Sequence, residues 1–240
     1  MKLVDVSCLS VAAQQSIDER AVEQFEALVL SQQPASTPWQ PVIDYSFEAR
    51  REIEGRHPEL IRDVFSLACQ KTPTLLTVGD IGCGPGHLVT LLRALRVNAF
   101  GVDRLEYMEW VKPEGTIFWL ADLAEPGSCE NDLPQFEPDV IMCREVLEHL
   151  TARQIAQAVQ TLCTLSQRFV YVTTRFAQAP NHLLSVDTAD ELDPSHITML
   201  TKPFLRTLFI LHGFRSRPDL ETLMDWQHKG RCLVMEKVVS

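Results

Sequence analysis

The chain has 240 residues, with 32 acidic against 22 basic side chains and a formal charge of -10. Its 45% hydrophobic and 22% charged residues suit one folded α/β domain with an extension and exclude a disordered polyelectrolyte. No basic cluster exceeds a few residues, which argues against strong non-specific nucleic-acid binding.

The seven cysteines are scattered without a C-x-x-C pair and read as reduced thiols. The opening "MKLVDVSCLSVAAQQ" lacks a signal-like apolar core, and no run of about 18 apolar residues occurs. A cytoplasmic protein with no membrane span is expected.

In chain order, Ser10 to Gln33 spaces Ile17, Val22, Phe25, Leu28 and Val29 at helical intervals, which predicts an amphipathic helix. "PASTPWQP" predicts a linker, and a second helical run follows from Phe47 to Gln70. These form an N-terminal helical cap over residues 1–70, ahead of a domain over 71–240. "TLLTVGDIG" predicts a strand, "HLVTLLRALR" a helix, and "NAFGVDR", "IFWLADL" and "DVIMCRE" three strands. Thr151 to Leu165 predicts a helix, and "RFVYVTT" a strand. "KPFLRTLFILHGF" predicts a helix stopped by Gly213. "RSRPDLETL" and "RCLVMEKVV" predict an antiparallel hairpin. The alternation implies a Rossmann-like, seven-stranded, mostly parallel sheet with helices on both faces.

Gly82, Gly84 and Gly86 follow Asp80 at the first strand-to-helix turn, where a doubly wound sheet binds ligands and where glycine permits positive φ and a close backbone approach. His87 stands where a dinucleotide fingerprint requires glycine or alanine, so NAD fits poorly. Asp103, ending the next strand, can accept from both hydroxyls of a ribose. Asp122 can accept from an adenine amino group, and Leu123 can offer its backbone N–H. The constellation points to a nucleoside-containing ligand.

"DIGCGPG", "GVD", "ADL" and "DVIMCREVLEHL" resemble the successive motifs of class I S-adenosylmethionine-dependent methyltransferases. The resemblance implies S-adenosyl-L-methionine as cofactor, with Gly82, Cys83, Gly84 and Gly86 at its methionine moiety and Asp103 on the ribose. It places Asp122 on the adenine, with Cys143 and Arg144 lining the cofactor opposite. Asp80, Arg104 and Leu123 complete the expected cofactor set.

"CREVLEHL" sets Glu145, Glu148 and His149 at helical i, i+3, i+4 spacing, which on one helix face could hold Mg2+ or another divalent metal with His196 as a fourth ligand. The alternative is a general acid or base at Glu145 or His149. Small-RNA 3′-terminal ribose 2′-O-methyltransferases are similar in this Glu-x-x-Glu-His set. Ubiquinone-pathway O-methyltransferases are similar in "EVLEHL" and in Lys202-Pro203 after a His. The acidic loop with Asp187, Asp190, Glu191 and Asp193 suits a neutral or cationic small molecule better than a phosphate backbone. Methylation of a small-molecule hydroxyl is therefore the expected activity. An RNA ribose methyltransferase with a groove of Arg50, Arg51, Arg56 and Arg62, and a catalytically silent cofactor-binding subunit, are the alternatives.

Overall fold

The computed structural model describes residues 47–104, 118–129, 136–177 and 196–238. The Ser10–Gln33 helix, the proline linker and the acidic residues 187–193 lie outside the described residues, as does the side chain of Arg50.

Short apolar runs bounded by turn residues form the strands, and burial on both faces selects parallel pairing for the central ones. These are β1 (Thr77–Ile81), β2 (Asn98–Asp103), β3 (Phe118–Leu120), β4 (Val140–Arg144), β5 (Phe169–Thr173), β6 (Phe214–Ser216) and β7 (Cys232–Lys237). They make one sheet in the order β3-β2-β1-β4-β5-β7-β6. β1 to β5 run parallel, and β7 lies antiparallel between β5 and β6.

The helices are α1 (Phe47–Glu54), α2 (His57–Cys69), α3 (His87–Ala94), α4 (Ala152–Leu165), α5 (Lys202–Leu211) and α6 (Pro218–Met224). The start of α4 is fixed by a reciprocal cap: Gln154 N–H donates to Thr151 Oγ1, and Thr151 N–H to Gln154 Oε1. Such a cap is worth about 1 kcal/mol. Thr201 caps α5 one-sidedly, its Oγ1 accepting from the Phe204 N–H, ahead of Pro203 in the first turn.

Alternation along the strands divides the core in two. Val78, Met142, Tyr171 and Val234 pack with Ile61 and Phe65 of α2, Leu88 and Leu92 of α3, and Leu220 of α6. Ile81, Ile141, Val172 and Leu233 pack with Ile155, Val159 and Leu162 of α4 and Leu205 of α5. Each such side chain contributes roughly 1.5–3 kcal/mol by leaving water. Helix α2, placed by sequence in a separate cap, is thus part of the core beneath the sheet.

Two local expectations are corrected. The run from Phe47 to Gln70 is two helices, because Gly55 takes φ +50° and Pro58 opens α2. The terminal pair is antiparallel as expected, but "RSRPDLETL" supplies only Arg215 and Ser216 to β6; Pro218 and the acids Asp219 and Glu221 start α6 instead.

Candidate active site

The strand order reverses between β1 and β4, so their carboxyl ends open a crevice at the sheet edge. Ile81 and Cys143 are register partners there. Chain leaving β1 enters the glycine turn, and chain leaving β4 enters "EVLEHL"; the site is built where the two meet.

Gly82, Gly84 and Gly86 have φ of +78°, +52° and +78°, a region that costs other residues about 1–2 kcal/mol. The turn is internally satisfied. Gly82 and Cys83 donate their N–H groups to Val102 O at 2.7 and 3.1 Å, and Gly86 donates to Cys83 O at 3.0 Å. The Gly84 N–H donates to Asp103 Oδ2 at 2.8 Å. A Cβ at Gly82 would overlap Val146 Cγ2, and one at Gly86 would overlap the Phe118 ring. These two glycines make room for side chains of the next strand ends, a demand the sequence reading assigned to a ligand alone.

The acids occupy three strand ends. Asp80 is buried near the end of β1. Burial pushes its carboxyl up to about 7, against the pull of the Arg144 guanidinium. Asp103 is buried, and Arg104 beyond it is exposed. Asp122 Oδ1 accepts from Ala124 N–H at 2.8 Å, its own N–H donates to Ser128 Oγ at 3.0 Å, and Leu123 is buried in the core. Cys143 is wholly buried among the α4 and α5 residues.

Arg144 carries a network that sequence reasoning missed. Its Nη2 lies 3.0 Å from Glu54 Oε2 and donates to Oε1 at 3.1 Å, and Nη1 donates to Oε1 at 3.2 Å. His57 Nδ1 lies 3.3 Å from Glu54 Oε2, and His57 Nε2 lies 2.8 Å from the Tyr171 hydroxyl, itself 3.7 Å from Cys232 Sγ. A neutral His57 satisfies the chain: Tyr171 O–H donates to Nε2, and Nδ1–H donates to Glu54. Burial and the Arg144 charge both push the His57 pKa down, consistent with that neutral ring. Burial raises the Glu54 pKa, but Arg144 and His57 outweigh it and hold the carboxyl at about 2. The available signal was spacing: His57, Ile61 and Phe65 fall on one face of α2, with Glu54 three positions ahead of His57.

"EVLEHL" is not an α-helix, so Glu145, Glu148 and His149 do not share one helical face. Glu145 takes φ +50° and donates its N–H to Thr173 O at 2.8 Å, and only Leu147–His149 forms a 3-10 turn. Glu145 is exposed. Glu148 is fully buried; its Oε2 accepts from Thr174 Oγ1 at 2.8 Å, and its backbone O accepts from Ile197 and Thr198 N–H at 2.8 and 3.2 Å. Burial and the neighbouring Glu145 carboxylate push the Glu148 pKa up. The His149 and His196 rings meet at 4.7 Å between centroids. Among the described residues, which include all four, no group of three His, Cys, Asp or Glu side chains is placed to hold a metal ion. The expected ligands form two pairs, Glu145 with Glu148 and His149 with His196.

The crevice brings together groups of the kind an S-adenosylmethionine-like ligand needs: the carboxylate of Asp103 at the end of β2, Asp80 and Arg144 at the switch point, and first-turn amides of α3 that helix geometry leaves outside its own ladder. Among the described residues no helix is long and apolar enough to cross a membrane.

No curated protein matches the chain. Among solved structures, the magnesium protoporphyrin IX methyltransferase of Synechocystis PCC 6803 has a TM-score of 0.53 at 17% identity, over 90% of this chain and 94% of that one. An amino pentose methyltransferase from Micromonospora echinaspora has a TM-score of 0.56 at 15% identity, over 83% and 99%. An O-methyltransferase family protein from Burkholderia thailandensis has a TM-score of 0.55 at 15% identity, over 96% and 71%. A methyltransferase-domain family model matches residues 51–217, beginning inside α1 and ending just after β6. With the strand order, the glycine turn and the acids at the strand ends, this match makes the chain a member of the class I S-adenosylmethionine-dependent methyltransferases.

Proposed function

We propose that the protein methylates a hydroxyl group of a small molecule. The observation that carries this reading is the left-handed Glu145, exposed at the carboxyl end of β4, with His149 and His196 beside the same turn. Strained non-glycine backbone concentrates at functional sites. The cofactor, when bound, supplies an activated methyl group on a sulfonium. Methylating a hydroxyl releases one proton, and Glu145 and His149 are the groups that take it at this edge. Asp103 and the glycine turn orient the ribose and methionine ends, Asp122 and Leu123 hold the adenine, and the rest is alignment and exclusion of water.

The comparisons support a small acceptor: one similar structure is titled for a porphyrin and another for an amino pentose. The net charge of -10 disfavours RNA, and within the proposed groove Arg62 is engaged by Asp63. Among the described residues six cysteines are free thiols, five of them buried, which suits a cytoplasmic location.

The test is transfer of a labelled methyl group to a panel of phenols, amines and RNA, with and without chelator. Transfer to a phenol, unchanged by chelator and lost in Glu145→Ala and His149→Ala while cofactor binding persists, is the expected result. Transfer to RNA alone, or to amines alone, overturns the proposal.

A further inference from the structure

A guanidinium has five N–H donors in a rigid fork. In Arg144, Nη1 and Nη2 are held by Glu54, Nε has no hydrogen-bond partner, and 20% of the side chain is open to solvent. It stands at the last position of β4, on the same sheet face as Asp80 at the end of β1. Together these two groups offer a cation and a buried carboxyl at the edge where the methionine end of the cofactor belongs. That end is a zwitterion with one carboxylate and one ammonium.

We propose that Glu54 and His57, on the two helices before β1, are positioning residues for this end of the cofactor, fixing the Arg144 guanidinium so that it receives the α-carboxylate. The inference rests on the cofactor lying at the β1/β4 edge. With His57 neutral, the donors run toward Glu54, Tyr171 to His57, His57 to Glu54 and Arg144 to the same carboxylate, while Cys232 Sγ lies 3.7 Å from the Tyr171 hydroxyl. A carboxylate held from two sides cannot swing, so the fork it grips cannot swing either. The Tyr171 hydroxyl that anchors His57 is buried in the sheet core, and His57 packs edge-on against its ring at 5.7 Å. Residues 54 and 57 thereby tie the cofactor pocket to helices that none of the strand-end motifs includes.

The experiment compares two ligands by titration calorimetry. S-adenosylhomocysteine carries the amino-acid end; methylthioadenosine has the same adenosine and thioether but lacks it. The unaltered protein prefers the first. Glu54→Gln, which removes the charge that grips Arg144, lowers affinity for S-adenosylhomocysteine roughly tenfold or more and leaves methylthioadenosine unchanged. His57→Phe, which keeps the ring and removes the donor, shifts the same ratio in the same direction and serves as the test if Glu54→Gln does not fold. Glu54→Asp restores part of the selectivity.

Equal loss of both ligands would mean that the residues only support the fold, and unchanged selectivity would mean that Arg144 needs no positioning; either result overturns the proposal. If the unaltered protein binds neither ligand, the cofactor site itself is misplaced and this inference falls with it. Variants that bind methylthioadenosine normally but lose S-adenosylhomocysteine separate the two failures.

Discussion

Gly82→Ala tests what the glycine turn is for. The new Cβ would overlap Val146 Cγ2 and lie 3.3 Å from Val146 Cγ1. Val146 is β-branched and stiff about χ1, so it cannot turn both methyls away. Overpacking of this kind costs about 1–3 kcal/mol, and holding alanine at φ +78° adds about 1–2 kcal/mol. The variant should lose about 2–5 kcal/mol, a large part of the 5–15 kcal/mol typical of a domain. Val146→Ala alone should cost about 1 kcal/mol, because the side chain is half-buried. In the double variant the collision disappears while the backbone cost stays, so the pair should be more stable than the sum of single effects by about 1–3 kcal/mol. Urea midpoints of the four proteins, with melting temperature as a check, give the coupling directly. Additive effects would refute the packing argument. Intact stability with lost cofactor affinity in Gly82→Ala would return the glycine to the role of clearing space for a ligand.

Asp103→Ala removes the acceptor of the Gly84 N–H and the proposed ribose partner together. It should weaken S-adenosylhomocysteine binding by tenfold or more in calorimetry and lower stability by about 1–3 kcal/mol; unchanged affinity contradicts the ribose assignment. Glu54 sets an acid limit. Its folded pKa of about 2 lies below the ordinary 4.5, so its contribution of about 3 kcal/mol is complete above pH 4.5 and fades as pH falls toward 2. Urea midpoints measured from pH 6 to pH 3 should fall less steeply for Glu54→Gln than for the unaltered protein, and parallel slopes would refute the pairing.

The sheet could be read from sequence because its strands are short apolar runs punctuated by turns, a pattern that survives without tertiary information. "EVLEHL" could not, because Glu145, Glu148 and His149 carry the spacing of an α-helix, and the left-handed Glu145 that breaks it leaves no mark in the sequence. The start of α6 was present in the sequence as Pro218 followed by two acids, a helix-opening signal that the hairpin expectation overrode. The acids at the strand ends stood out because charge at the end of an apolar run is conspicuous. The Glu54–His57 network did not, because its partners Arg144, Tyr171 and Cys232 lie 90, 114 and 175 positions away from the helix residues they serve, counted from Glu54 for Arg144 and from His57 for the others. Such pairings become visible only when the strand order is known.

The two outermost strands, β3 and β6, are only three residues long. A sheet edge recruits foreign chain in proportion to the row of unmatched backbone groups it displays, and long flat edges seed intermolecular sheets. Here an invading strand would find a ladder of a few rungs at either border, each worth about 1 kcal/mol net, too little to offset the ordering of the newcomer at about 1–2 kcal/mol per residue. The architecture that places a methyl donor at the centre of the sheet therefore leaves its margins poor templates for aggregation, even with Leu120 standing 56% exposed on one of them.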